Sequence, residues 1–184
     1  MREQSSCLKF RELPDLAVRL CAKAGAPPRL VQHLVIVHHT AVSISESLVA
    51  LYPTLAYDQE TVHLGAALHD IGKAFHPGEL SGRGNLHEKS GEQFLLAEGV
   101  PVPVARISRT HGQWRGESPP HLEDLLVALA DKSWRGARDE QLESKIVGIV
   151  SAVQSVSPWK AYSELDRILC SVAVPDYPVV LNDN

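Results

Sequence analysis

Apolar residues recur at intervals of three and four along most of this sequence, whereas strictly alternating runs and clusters of β-branched or aromatic residues between turns are scarce. That period fits the 3.6-residue turn of a helix, so the sequence predicts an all-α fold, a bundle of seven to eight helices. A first helix is expected over residues 15–24, with Pro14 near its start and Gly25-Ala26-Pro27-Pro28 ending it, because proline suits a first turn and breaks an interior. The second begins near Pro28, carries Leu30, Leu34, Val37, Val42 and Leu48 inward, and stops at Tyr52-Pro53. A third, over residues 58–71, has Asp58 as N-cap and ends at Gly72, which can take the left-handed conformation common after helices. The glycine-rich, polar stretch 75–86 is expected as a loop hanging over the scaffold. Further helices are expected at about 88–98, 102–110, 121–134, 141–155 and 159–172, followed by an extended tail over 174–184.

A length of 184 residues, without internal repeat or Gly/Ser linker, suits one domain. With 44% hydrophobic and 22% charged residues the composition is that of an ordinary globular chain. A net charge of −4 offers no general attraction to nucleic acid polymers, which require a basic face. Cys7, Cys21 and Cys170 are widely separated and form no CxxC pair, so they are expected to be reduced thiols. The N-terminus lacks the apolar run of a signal peptide, and nowhere do about 18 apolar residues follow one another. The expectation is a cytoplasmic protein with no membrane partner; a homodimer is compatible with the sequence.

The chemistry concentrates in histidines and aspartates at helix ends and on apolar faces. His38 lies in LVIVHHTAV, where a lone imidazole is costly without a partner; His39 competes with it, since only one of two neighbours can face the core. His69 and Asp70 are adjacent in AALHDIGK and point about 100° apart, so both reach one object only off the helix edge. His87 opens HEKSGEQFLL, His111 closes ARISRTH, and Asp131 follows LLVALA. Imidazole and carboxylate groups suit first-row divalent metals, and six of them exceed the needs of one structural zinc. His33, His63, His76 and His121 are expected at the surface, at caps or at the core edge. Glu88, beside His87, could orient a ligand, and Trp114 and Trp134 could line a pocket or pack in the core.

In their order along the chain, HHTAV, AALHDIGK, LHEKSGEQFLLAEGV, RTHG and LLVALADK resemble the segments of the HD-domain superfamily of metal-dependent phosphohydrolases, from about Pro28 to Val172. The resemblance implies that His38, His69, Asp70 and Asp131 hold one metal, that Asp70, His87 and His111 hold a second, and that Asp70 bridges the two. It implies iron, manganese, cobalt or nickel as cofactor, with magnesium or zinc as further options. It implies hydrolysis of a small phosphate ester, with nucleotides as a leading class, by hydroxide generated on the metals. Asp70 and Lys73 are then the catalytic candidates, because Lys73 matches the lysine of the HDxGK form of the motif and can offset phosphate charge. Lys73, Arg109, Arg115 and Arg135 are the candidate substrate contacts, since guanidinium and ammonium groups bind phosphate well. Two other readings use the same fold: a di-iron oxygenase, against which Lys73 argues, and a non-catalytic nucleotide-binding sensor, against which the full ligand set argues.

Overall fold

The structure, a computed structural model, describes residues 10–116 and 121–173. The tail expected over 174–184 and Cys7 lie outside the described residues. The described chain is helical throughout, in the order α1 (Asp15–Ala24), α2 (Pro28–Leu51), α3 (Gln59–Leu68), two short 3-10 turns (Ile71–Phe75 and Pro77–Leu80), α4 (Leu86–Ala97), α5 (Val102–Thr110), α6 (Leu122–Ser133), α7 (Glu140–Gln154) and α8 (Pro158–Val172). Local chemistry sets most boundaries. Gly25 adopts a left-handed conformation, with φ of 66°, and donates its N–H to the Ala22 carbonyl to close α1. Pro28 opens α2 with the φ that a first turn requires. The Asp58 carboxylate accepts hydrogen bonds from the backbone N–H groups of Glu60 and Thr61 and so caps α3; Asp139 caps α7 and Ser157 caps α8 in the same way.

The long helix α2 is the spine, packed against α3, α6 and α8, while α4 pairs with α5 and α7 with α8. By length and mean hydropathy α2 could cross a membrane, yet Leu34, Ile36, Val37, Ile44 and Leu48 are buried inside the bundle. Two apolar clusters form the core. One gathers Ile44 and Leu48 of α2 with residues of α6, α7 and α8; the other gathers Leu30 and Leu34 with α1, the end of α3, α4 and α5. The chemistry-bearing residues interleave with both: Leu68 and Ile71 of the second cluster flank His69-Asp70, and Ala130 and Trp134 of the first flank Asp131. Burial on either side fixes these side chains against rigid elements.

Gly72 differs from its expected role. It sits inside the first 3-10 turn and is not among the positive-φ residues. A Cβ there would lie 2.0 Å from the His87 carbonyl oxygen and 2.7 Å from the Gly91 backbone nitrogen. Glycine is required for close approach, not for a left-handed turn. The missing side chain lets α4, which carries His87, pack directly on the backbone after Asp70. Helix α3 accordingly ends earlier than expected, at Leu68, and the stretch expected as a plain loop contains the second 3-10 turn.

Candidate metal centre

Five of the six expected ligands converge. His69 follows the last residue of α3, Asp70 precedes the first 3-10 turn, His87 lies in the first turn of α4, His111 follows α5, and Asp131 lies near the C-terminal end of α6. Helix ends from four directions thus deliver short, polar side chains to one point. His69 Nε2 is 3.5 Å from Asp70 Oδ2 and 3.6 Å from Asp131 Oδ1, while His87 Nε2 and His111 Nε2 lie 3.2 Å and 3.6 Å from Asp70 Oδ1.

The sixth position is not filled as the sequence suggested. His33 stands in it: its Nε2 is 3.2 Å from Asp70 Oδ2, 3.2 Å from Asp131 Oδ1 and 3.3 Å from His69 Nε2. His38 comes five residues later on α2, about 140° further round the helix, and so faces away from this cluster. It is buried with Nδ1 unpartnered, and burial pushes its pKa down to about 4, so it meets the cost of burial by remaining neutral. His39 accepts a hydrogen bond from the Arg11 backbone N–H and packs edge-on to Phe10. Neither neighbour is at the centre.

The outward nitrogens fix the direction of the inward ones. His69 Nδ1 lies 2.9 Å from the Ala66 carbonyl, His111 Nδ1 lies 3.1 Å from the Ser108 carbonyl, and His87 Nδ1 lies 2.6 Å from Glu79 Oε2. Carbonyls and carboxylates only accept, so each Nδ1 donates, and in the neutral ring Nε2 is left with its lone pair facing Asp70. Glu79 also accepts from the backbone N–H groups of Leu86 and His87, capping α4 while it orients its histidine. Glu79 was not singled out from the sequence; its only signal was an acidic residue shortly before a helix opening on histidine. Glu88 turns aside to accept from Gln113.

Among the protein groups themselves, protons do the neutralising. Burial works against charge on His69, yet Asp70 and Asp131 outweigh it and raise its pKa to about 10. His33 and His87 are raised for the same reason, against burial, by Asp131 and Asp70 and by Asp70 and Glu79 respectively. Burial and the neighbouring His69 push His111 down to about 4. Asp70 and Asp131 are buried, which alone would raise them, but the surrounding imidazoles hold both well below the usual carboxylate range. Even so, Asp70 Oδ1 is buried without a hydrogen-bond partner, since His87 Nε2 is near it but not aligned to donate. Lone pairs aimed at carboxylates around an unsatisfied oxygen match the needs of a cation. Two groups, His33 with His69 and Asp131, and His69 with Asp70 and His111, each bring their ligand atoms within 4.8 Å of one another.

The expected substrate contacts divide. Lys73 donates to Asp70 Oδ2, and both line a cavity of about 350 Å³ beside the cluster. Arg135 lines the same cavity, with its guanidinium 4.1 Å above the Trp134 ring. Arg109 is instead paired with Glu92 on the surface, and Arg115 lies over Trp114 and bonds to Asp139 and Gln141. Neither lines the cavity. Trp114 is packed in the core.

Comparison with known proteins places the fold. A search of curated proteins gives no significant match. The HD domain of the L. monocytogenes phosphodiesterase PgpH is a structural relative: in complex with cyclic-di-AMP it has a TM-score of 0.53 and 12% sequence identity, over 85% of this chain and 95% of that one. A second PgpH HD-domain structure has 13% identity and the same TM-score, over 86% of this chain and 98% of the other. At such identity the likeness shows a shared fold. A family model for the HD domain matches residues 30–135, more than half of the chain and a span that contains His33, His69, Asp70, His87, His111 and Asp131, so the chain belongs to the HD-domain family.

Proposed function

We propose that this chain is a metal-dependent phosphohydrolase acting on a small phosphate ester, with nucleotides the favoured class. The observation that carries this reading is the division of Asp70: Oδ2 faces His33 and His69, and Oδ1 faces His87 and His111. One carboxylate so placed would serve two cations, with His33, His69 and Asp131 completing one set and His87 and His111 the other. Divalent metals so held lower the pKa of bound water and offset charge on a phosphoryl group. The nucleotide preference is supported by the cyclic-di-AMP complex of the PgpH domain.

The protein's own groups supply position and charge. Asp70 is better suited to hold than to accept a proton, because the imidazoles around it keep its carboxyl strongly acidic. Lys73 neutralises Asp70 Oδ2 and lines the cavity, where its charge would stabilise a phosphoryl transition state. Glu79 keeps the His87 ring turned inward.

The test is hydrolysis of p-nitrophenyl phosphate and a nucleotide panel with iron, manganese, cobalt, nickel, magnesium or zinc added singly. Turnover is expected only with metal, and Asp70→Ala should abolish it while circular dichroism stays helical. Full activity in that variant, or activity indifferent to chelator, overturns the proposal; tightly bound iron with an oxygen-dependent spectrum and no turnover points to oxygenase chemistry instead.

A further inference from the structure

The cavity beside the cluster is lined by more positive groups than negative ones. Its lining includes four cations, Arg29, Lys73, Lys132 and Arg135, against two carboxylates, Asp70 and Asp131. This is the reverse of the whole chain, whose net charge is −4. Lys73 is committed to Asp70, and Lys132 has only a long 3.9 Å approach to Asp139. Among the described residues Arg29 and Arg135 have no carboxylate partner, and Arg135 is held in place by the Trp134 ring. Uncompensated guanidinium groups on a concave wall raise the local concentration of anions and bind phosphate oxygens in pairs.

Their positions follow from the centre itself. Arg29 precedes His33 by four residues on α2, so both project from one helix face. Lys132 and Arg135 follow Asp131 at the end of α6. The two elements that supply His33 and Asp131 therefore also supply three of the four cations, and neither His87 nor His111 lines the cavity. An open aromatic surface is lacking on this lining: Trp134 is only 6% exposed and Arg135 covers its face, which leaves little for a base to stack on. Charge, more than base identity, is what this wall can read.

Resting on the phosphohydrolase reading, we propose that Arg29, Lys132 and Arg135 form a second anion subsite, and that the substrate is a small molecule bearing at least two phosphate groups, one at the metal centre and one on this wall. The probes are AMP, ADP and adenosine 3′,5′-bisphosphate, which share one nucleoside and differ in the added phosphate; the separated phosphates of the last do not form the chelate ring of a diphosphate. Isothermal titration of the protein as purified should show ADP or the bisphosphate binding at least about tenfold tighter than AMP. Arg29→Ala and Arg135→Ala should each lower that ratio several-fold, and the double variant should bring it near one. Equal affinity of the wild type for all three probes, or a ratio that survives in a double variant of unchanged circular dichroism, overturns the subsite. Failure to turn over p-nitrophenyl phosphate or any nucleotide of the panel with any of the metals, the affinity ratio being intact, would remove the hydrolase reading and leave the subsite standing.

Discussion

His33 Nε2 lies 3.2 Å from Asp70 Oδ2, which makes His33 the α2 histidine of this centre, and not the better-buried His38. The two histidines make opposite predictions. His33→Ala should lower metal content and activity at least tenfold, because it removes a group that approaches both Asp70 and Asp131. His38→Leu should leave metal stoichiometry unchanged, since it replaces an unpartnered buried ring by an apolar side chain of similar size. Elemental analysis of the two purified variants decides the matter: loss of metal in His38→Leu alone would reverse the assignment.

Glu79 gives a second prediction. Its carboxylate accepts from His87 Nδ1 and from two backbone N–H groups at the start of α4. Glu79→Ala should weaken metal affinity by about 10- to 100-fold, the usual effect of removing a group that orients a ligand. Glu79→Gln keeps a carbonyl acceptor for the cap but loses the negative charge, so it should retain more thermal stability than Glu79→Ala while still binding metal less tightly. Equal affinity in all three proteins, measured by titration with manganese, would reduce Glu79 to a helix cap.

The two variants of His33 and His38 also mark how far the sequence could be read. The helices were legible because their signals are local: Gly25, Pro28 and Asp58 each act within a turn of where they stand. His69, Asp70, His87, His111 and Asp131 were legible from a set of motifs that together resemble one superfamily. His33 was not, because a helix with apolar residues on several faces presents two histidines about 140° apart, and only the packing of α2 against the ends of α3 and α6 says which side holds the centre. The rule that a buried histidine needs a partner favoured His38, and depressing its pKa is the alternative the chain uses. Arg109 and Arg115 were placed near the substrate by closeness in sequence to His111, whereas Glu92 and Asp139, remote in sequence, hold them elsewhere.

Gly72 yields a prediction about folding. Because a Cβ at this position would lie 2.0 Å from backbone of α4, no rotamer change can relieve the clash. Gly72→Ala should destabilise the protein by about 2–3 kcal/mol, as overpacking of a tight core does. The strain falls between Asp70 and His87, so metal affinity should fall with it. Chemical denaturation with and without manganese measures both; a variant as stable as the wild type would mean that α4 can move away freely.

Proton and metal compete for the same nitrogens, and the sign of the pH dependence follows. Without metal, His69 has its pKa raised from 6.5 to about 10 by Asp70 and Asp131, so the stability it contributes is complete below about pH 6.5 and is lost as pH rises towards 10. Asp70 and Asp131, held low, contribute above the ordinary carboxylate range and lose that contribution only in acid. Stability of the metal-free protein should therefore decline between neutral pH and pH 10. A metal requires the unprotonated Nε2 of His69, so its binding must expel the proton, and affinity should strengthen with rising pH over the same interval. The thermal shift produced by a fixed manganese concentration should be larger at pH 8 than at pH 6. Calorimetric titrations in two buffers of different ionisation enthalpy should give heats that differ in proportion to the protons released. Identical heats in both buffers would show that His69 is already neutral before the metal arrives.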